Sequence, residues 1–147
     1  MGVYAATREV EVAASAQACF DALTDYERLP EWQSRVRACR VLSRDEQGHG
    51  RDVEYEVDAR IRTVRYTLRH EYDEPTRIGS AYLKGDFKHF EGGYELADRG
   101  TGCLVTLRLA IDPGLRLPGP MVRIVNEAVM GRALAELREH VNTLQEA

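Results

Sequence analysis

Residues 18–32 read ACFDALTDYERLPEW, and this stretch decides the fold. Phe20 and Leu23 lie three residues apart, on one apolar stripe of a predicted helix. That helix is expected to begin after Ser15, whose hydroxyl suits an N-cap. A second short helical turn follows, and we expect Pro30 to end it, because proline disrupts the interior of a helix. Two short helices are therefore predicted between a first strand and a long run of later strands.

The segment after these helices predicts a hairpin with a well-defined register. Pairing Ala59 with Arg62 brings apolar residues together on one face and opposite charges together on the other. The apolar pairs are Val57 with Val64, Tyr55 with Tyr66 and Val53 with Leu68, and the charged pairs are Glu56 with Arg65 and Asp52 with Arg69. A slip of one residue would place apolar side chains opposite charged ones. The sheet is therefore expected to have one apolar face and one wet face.

The other strands complete an antiparallel meander of about seven strands. They are predicted at residues 8–12, 36–44 and 77–84, with a turn at 74–76, and in a final hairpin that turns near 98–101. In that hairpin Phe90, Gly92, Tyr94 and Leu96 share a face with Cys103, Val105, Leu107 and Leu109. The segment from Pro113 to Pro120 then ends the sheet and is expected to form part of a cavity mouth.

The chain ends in one long predicted helix, from Met121 to about Leu144. Its apolar stripe comprises Val122, Val125, Val129, Ala133, Leu137, Val141 and Leu144. Met121, Ile124 and Ala128 widen the stripe at its beginning, so the helix is expected to lie across the concave side of a curved sheet. The fold class is therefore α+β. Small residues on the inner faces, Gly92, Ala128 and Ala133, are expected to leave room for a guest molecule.

Composition limits what kind of protein this is. With 147 residues, 44% of them hydrophobic, the chain is expected to form a single domain over residues 1–147. No apolar run has the roughly 20 residues of a membrane span, and the three cysteines lack metal-ligand spacing, so we expect a cytoplasmic protein with reduced thiols. The formal charge of −4 is spread among interspersed basic and acidic residues, which argues against nucleic acid as a partner. No metal and no cofactor are expected.

The order of one strand, two short helices, six strands and a long helix resembles the START-like helix-grip superfamily. The pattern Phe20…Asp25-Tyr26…Pro30…Trp32 is similar to its bacterial branch of polyketide cyclase/dehydrase and coenzyme Q-binding-like proteins. Gly85-Asp86-Phe87 and Phe90-Glu91-Gly92-Gly93-Tyr94 also resemble that branch. The resemblance covers essentially the whole chain. It implies a hydrophobic ligand in an internal cavity, and it leaves open whether the chain catalyses a reaction or forms a homodimer.

The candidate ligand-binding residues follow from the predicted inner faces. They are Trp32, Tyr55, Val57, Val64, Tyr66, Leu68, Phe90, Tyr94, Val105, Leu107, Ile124, Val125 and Ala128. Trp32 is interpreted either as a cap on the pocket or, preferably, as an anchor of the short helices. The tyrosines either offer hydroxyls to a ligand or belong to an ordinary core.

His70 and Tyr66 are the candidate catalytic residues. His70 shares its strand face with Tyr66, so it can act as a general acid or base if it faces the interior. The interpretation preferred for His70 is nevertheless a partly hydrated residue at the rim. The resemblance to aromatase/cyclases implies a pocket arginine, which has no clear match in this sequence, although Arg62 shares the inner-face parity near the end of its strand.

Three functional hypotheses follow. The first is binding or transport of a lipid, quinone or polyketide-like molecule. The second is a polyketide aromatase/cyclase or dehydratase. The third is a ribosome-associating or other protein-interaction role, against which the acidic balance argues where direct binding of ribosomal RNA is concerned.

Overall fold

The computed structural model describes residues 4–58, 62–112, 114 and 119–146, with side chains for 5–58, 62–112, 114 and 130–144. The strands are β1 (Tyr4–Val12), β2 (Val36–Arg44), β3 (Gly50–Asp58), β4 (Thr63–Asp73), β5 (Arg77–Gly85), β6 (His89–Arg99) and β7 (Gly102–Asp112). The helices are α1 (Ala16–Thr24), α2 (Leu29–Trp32) and α3 (Gly119–Glu146), and a 3-10 turn (Tyr26–Arg28) precedes α2. All seven strands form one antiparallel sheet in the order β1-β7-β6-β5-β4-β3-β2. The predicted α+β architecture is therefore confirmed.

The two short helices lie where the sequence predicts them, with one correction. Ser15 caps α1, because its hydroxyl accepts a hydrogen bond from the Ala18 amide at 3.1 Å. Phe20 and Leu23 are buried, as expected from their shared stripe. Pro30, however, lies in the first turn of α2 and does not end a helix. Proline is tolerated there because amides of the first turn have no intrahelical acceptor.

The predicted register of the β3–β4 hairpin is confirmed. Tyr55 lies opposite Tyr66, and the neighbouring predicted pairs are also observed. On the outer face Arg69 donates a hydrogen bond to Asp52 at 2.8 Å. The β6–β7 hairpin has the predicted faces too, since Tyr94 lies opposite Leu107 and the other pairs follow. The register therefore gives each hairpin one apolar inner face.

The buried apolar residues form two clusters and not one continuous core. One cluster joins α1 and the inner faces of β6 and β7 to the C-terminal part of α3, with Phe20, Val105 and Leu137 fully buried. The other joins the 3-10 turn and α2 to β3 and β4, around Val53. The same partly buried residues, Trp32, Tyr72 and Leu109, pack against both clusters. The space between the clusters contains a cavity.

Two expectations fall on undescribed parts of the chain. The predicted cavity mouth from Pro113 to Pro120 lies outside the described residues, apart from Gly114 and the backbone at the start of α3. Ala59, one member of the predicted hairpin pair, also lies outside them.

Within the described ranges, the helices lack an apolar stretch of the length that crossing a bilayer requires.

Gly85, which pairs with Tyr66 of β4 at the end of β5, is expected to be intolerant of a side chain. Its φ of +138° favours glycine, and a Cβ there would lie 2.4 Å from the Tyr66 Cα atom. We expect Gly85→Ala to lower the free energy of unfolding by at least about 2 kcal/mol, measured by urea denaturation. Gly100→Ala is the matched control, because Gly100 also has positive φ (+62°) but open space around it. Equal losses for the two variants would show that close packing at Gly85 contributes nothing.

Candidate functional site

A cavity of about 210 Å³ lies between the inner face of the sheet and the helices. Its wall is mostly apolar and carries a few polar groups, the usual character of a small-molecule site. Eight predicted ligand-binding residues line it: Tyr55, Val57, Val64, Tyr66, Leu68, Phe90, Tyr94 and Leu107. An apolar cavity of about 150 Å³ can hold benzene, so this one has room for a somewhat larger ring compound.

The other predicted ligand-binding residues have different positions. Val105 is fully buried in the cluster around α1 and is not among the cavity-lining residues. Trp32 also lies away from the described wall, and its ring stacks on His140 with centroids 4.5 Å apart. The side chains of Ile124, Val125 and Ala128 lie outside the described residues.

His70 is the centre of a hydrogen-bonded chain on the cavity wall. Its Nε2 lies 2.6 Å from the Tyr55 hydroxyl, and its Nδ1 lies 2.9 Å from the Ser80 hydroxyl. The Gly79 carbonyl lies 3.3 Å from the same Nδ1 atom. The ring of Tyr26 stacks on the imidazole with centroids 5.0 Å apart. The cavity is lined by all three members of this hydrogen-bonded chain, Tyr55, His70 and Ser80, and by Tyr26. A ligand in the cavity would therefore contact these side chains directly.

The interpretation of His70 as a partly hydrated rim residue is wrong. Only 6% of the residue is exposed, because strands β3 and β5 and the 3-10 turn enclose it. Burial lowers its pKa to about 4, and the Gly79 carbonyl and the Asp52 carboxylate only partly oppose this. His70 is therefore a neutral imidazole at physiological pH, with one nitrogen that donates and one that accepts.

The tyrosines on this wall are held in their neutral phenol form. Burial raises the pKa of Tyr55 and of Tyr66 well above the ordinary value for tyrosine. The pKa of Tyr94 is raised to about 12 by burial, an effect that Gln33 partly opposes. Each hydroxyl is therefore a hydrogen-bond donor and acceptor and not a source of phenolate.

Two hydrogen-bonded tyrosines, Tyr26 and Tyr72, lie beside the His70 ring. The hydroxyls of Tyr26 and Tyr72 lie 2.8 Å apart, and the Tyr72 hydroxyl donates to the Gly50 carbonyl. Burial raises the pKa of Tyr72 to about 12, while the Tyr26 hydroxyl opposes the shift. Because the Gly50 carbonyl fixes the orientation of Tyr72, this pair ties the 3-10 turn to strands β3 and β4.

Arg35 and Glu136 are charged, partly exposed residues that line the cavity. The Arg35 side chain is 23% exposed, and its Nη1 lies 3.5 Å from the Asp58 carboxylate. Glu136, on α3, accepts a hydrogen bond from the Ser34 amide at 3.0 Å. Arg62, the arginine that shares the inner-face parity, is instead exposed and forms an ion pair with Asp86 at 3.5 Å.

The chain matches a known protein family over most of its length. A family model described as "Polyketide cyclase / dehydrase and lipid transport" matches residues 5–142. The chain belongs to this family. No curated protein sequence matches the chain.

Solved structures share the fold over almost the whole chain. A START superfamily protein from Mycobacterium smegmatis is 24% identical, with a TM-score of 0.88 and coverage of 95% of this chain and 98% of that one. A protein from Thermus thermophilus is 21% identical, with a TM-score of 0.82 and coverage of 96% and 99%. The Zhui aromatase/cyclase from Streptomyces sp. R1128 is 16% identical, with a TM-score of 0.83 and coverage of 95% and 94%. The START-like helix-grip fold expected from the sequence is confirmed.

The side chains elsewhere in this protein that could act as nucleophiles or metal ligands are its cysteines, histidines and acidic residues. Cys19 and Cys103 are neighbouring buried thiols, and burial raises the pKa of Cys19 to about 12. Such thiols are poor nucleophiles, because the thiolate is the reactive form. In the part of the chain that the structure describes, no three His, Cys, Asp or Glu side chains gather as a metal site.

Several polar residues on the cavity wall are not among those predicted from the sequence. They are Tyr26, Gln33, Arg35, Ser80 and Glu136. Ser80 had a usable signal, because carrying the strand register through the turn at 74–76 places it opposite His70. Arg35 and Gln33 had none, since they lie in a short connection between α2 and β2 that has no periodicity.

Proposed function

We propose that this chain binds or carries a hydrophobic small molecule, a lipid, quinone or polyketide-like compound, in its internal cavity. The observation that carries the proposal is the cavity of about 210 Å³, whose wall combines apolar side chains with a few polar groups. The description of the family, which includes lipid transport, supports it. We further propose a cytoplasmic location, which suits the unpaired cysteines Cys19, Cys39 and Cys103.

Filling the cavity should abolish binding without unfolding the protein. Ala133 lines the cavity from α3, and we expect Ala133→Phe to occupy ligand space and to lower co-purified ligand at least about tenfold. Native mass spectrometry and solvent extraction of the purified protein measure that amount. Ala135→Phe is the matched control, because Ala135 lies two residues further along the same helix and is exposed. A wild-type protein that carries no compound and takes up none from a hydrophobic extract would contradict the proposal.

A polyketide aromatase/cyclase or dehydratase is the second candidate function. The Ser80–His70–Tyr55 chain favours it, because aligned neutral donors on a cavity wall can stabilise a developing enolate. The structural likeness to the Zhui aromatase/cyclase concerns the fold. Comparing the turnover of Tyr55→Phe with that of the wild type tests this candidate.

A further inference from the structure

The turn between β5 and β6 carries both lysines of the chain. Lys84 lies near the end of β5 and Lys88 directly precedes β6, and both residues are exposed. The carboxylate within the turn belongs to Asp86, and it lies 3.5 Å from the Arg62 guanidinium. Among the described residues, neither lysine forms an ion pair with a carboxylate. Positive charge therefore remains available here to an anionic partner.

The same turn exposes apolar surface. Leu83 is 42% exposed and is one of three large apolar residues that are exposed in the described part of the chain. Phe87 is partly exposed and lines the cavity, where its ring packs against Tyr66 with centroids 5.0 Å apart. We call residues 83–88 the lysine turn. It combines two unpaired cations with apolar side chains, and it forms part of the cavity wall.

Hydrogen bonds fix the backbone of the lysine turn. The Tyr82 hydroxyl donates to the Phe87 carbonyl at 2.7 Å and accepts from the Phe87 amide at 3.2 Å. The Lys88 amide donates to the carbonyl of Asp112, on β7, at 2.8 Å. Because its backbone is already ordered, the turn loses little entropy when it meets a partner.

The residue types favour a lipid surface over a protein partner. Protein interfaces are enriched in arginine and depleted in lysine. In this chain arginine is the usual basic residue, and lysine occurs only in the lysine turn. A lysine side chain can lay its methylene groups along apolar surface while its ammonium group stays in water, beside lipid phosphates. An exposed leucine next to such lysines can enter the interface of a bilayer, and anionic lipids attract the charges.

We propose that the lysine turn docks this protein on the surface of an anionic lipid bilayer. Lys84 and Lys88 contact the lipid phosphates, and Leu83 enters the boundary between headgroups and acyl chains. So few contacts give weak, reversible binding, which suits a protein that collects or releases a ligand at a membrane. This inference rests on the proposed binding function, because a hydrophobic ligand dissolves in membranes and the turn forms part of the cavity wall.

Flotation with lipid vesicles tests the proposal. Vesicles of phosphatidylcholine alone are compared with vesicles in which about one third of the lipid is phosphatidylglycerol. At about 0.1 M salt, carboxylates more than about 10 Å from the lipid are largely screened, whereas lysines in contact with it are not. We expect the wild type to bind the anionic vesicles at least about tenfold more tightly, and to lose this preference at about 1 M salt.

Removing both lysines should weaken binding to the anionic vesicles at least about tenfold, because each lysine near such a surface contributes about fivefold. The variant combines Lys84→Gln with Lys88→Gln. Its matched control combines Arg51→Gln with Arg99→Gln, which removes the same charge from exposed residues at the opposite end of the sheet. The control should bind within about twofold of the wild type.

Leu83→Ser should weaken binding to the same vesicles about fivefold, because less apolar area leaves water. Leu42→Ser is its control, since Leu42 is also exposed but lies near the other end of the sheet, on β2. Equal binding of neutral and anionic vesicles by the wild type, or equal losses in the two double variants, would overturn the docking surface. A wild type that leaves vesicles unbound but forms a dimer that Leu83→Ser weakens would assign the turn to a second copy instead. These outcomes leave the proposed function standing, because co-purified ligand and its loss in Ala133→Phe are measured without membranes.

Discussion

Acidification from about pH 7 to about pH 4 is expected to remove about 3 kcal/mol of stability through His70 alone. The pKa of this imidazole is lowered to about 4 from an ordinary value of 6.5, because the residue is buried. Between these two values the unfolded chain holds a proton on the imidazole and the folded chain does not. Proton binding then favours unfolding, so stability is fully present above pH 6.5 and falls as the pH approaches 4.

The groups that face His70 do not cancel this effect. Tyr26, Tyr55 and Tyr72 stay neutral throughout this range, because burial raises the pKa of each. The Asp52 carboxylate favours the protonated imidazole, but burial has the larger influence on the pKa of His70. The direction of the pH dependence therefore follows from burial.

Urea denaturation of the wild type and of His70→Gln across this range measures the contribution. The variant is expected to lack about 3 kcal/mol of the pH-dependent loss, whatever its stability at pH 7. His89→Gln is the matched control for the loss of an imidazole, because the His89 side chain is half exposed on the sheet. Identical pH profiles for the wild type and His70→Gln would contradict the neutral, buried state of this residue.

The sequence predicted those features that depend on repeated patterns. The alternation around Tyr55 and Tyr66 determined both register and face, because a slip of one residue would expose every apolar side chain. The cap at Ser15 and the stripe of Phe20 and Leu23 likewise determined α1. Such patterns are local or repeat along a strand, so one sequence is enough to detect them.

Features that depend on the meeting of distant elements were harder to predict. For His70 the sequence predicts a place at the rim, because strand periodicity gives the face of a residue but not its depth. Its burial comes from Tyr26, which arrives from the 3-10 turn and stacks on the imidazole. The prediction that Pro30 ends a helix is wrong, because the sequence does not show whether a proline ends one helix or begins the next. The sequence therefore predicts which residue types form the site, but it does not predict how the surrounding elements bury them.

Replacing Tyr55 by phenylalanine is expected to lower the rate of an enolate-forming cyclisation or dehydration about 10²–10³-fold, if the chain catalyses one. The Tyr55 hydroxyl lies on the cavity wall, 2.6 Å from His70 Nε2. The neutral His70 has two tautomers: with its proton on Nδ1 it donates toward the Gly79 carbonyl and accepts from the Tyr55 hydroxyl at Nε2, and with its proton on Nε2 it donates to the Tyr55 oxygen and accepts from the Ser80 hydroxyl at Nδ1. In the second tautomer, the Tyr55 hydroxyl proton is available to stabilise a substrate oxygen as it gains negative charge, and the predicted loss applies to this form.

The choice of tyrosine makes this prediction specific. Tyr66 is the tyrosine that the sequence proposes, but the hydroxyl at His70 belongs to Tyr55. We therefore expect Tyr66→Phe to lose less than about tenfold and His70→Gln to lose about as much as Tyr55→Phe, because residues that act as one unit have non-additive effects. Tyr82→Phe is the control, since its hydroxyl donates to the Phe87 carbonyl and Tyr82 is not among the cavity-lining residues.

An N-acetylcysteamine thioester of a short poly-β-ketone is a suitable substrate, with its spontaneous reaction in buffer as the reference rate. Acceleration by the wild type that is lost in Tyr55→Phe and His70→Gln but retained in Tyr82→Phe would establish the cyclase or dehydratase function. A larger loss in Tyr66→Phe than in Tyr55→Phe would overturn the assignment to Tyr55. If the wild type binds the thioester without accelerating its reaction, the hydrogen-bonded chain orients a carbonyl group and catalyses nothing. Binding would then be the whole function, because a neutral wall that holds a ligand in one orientation need not lower any barrier.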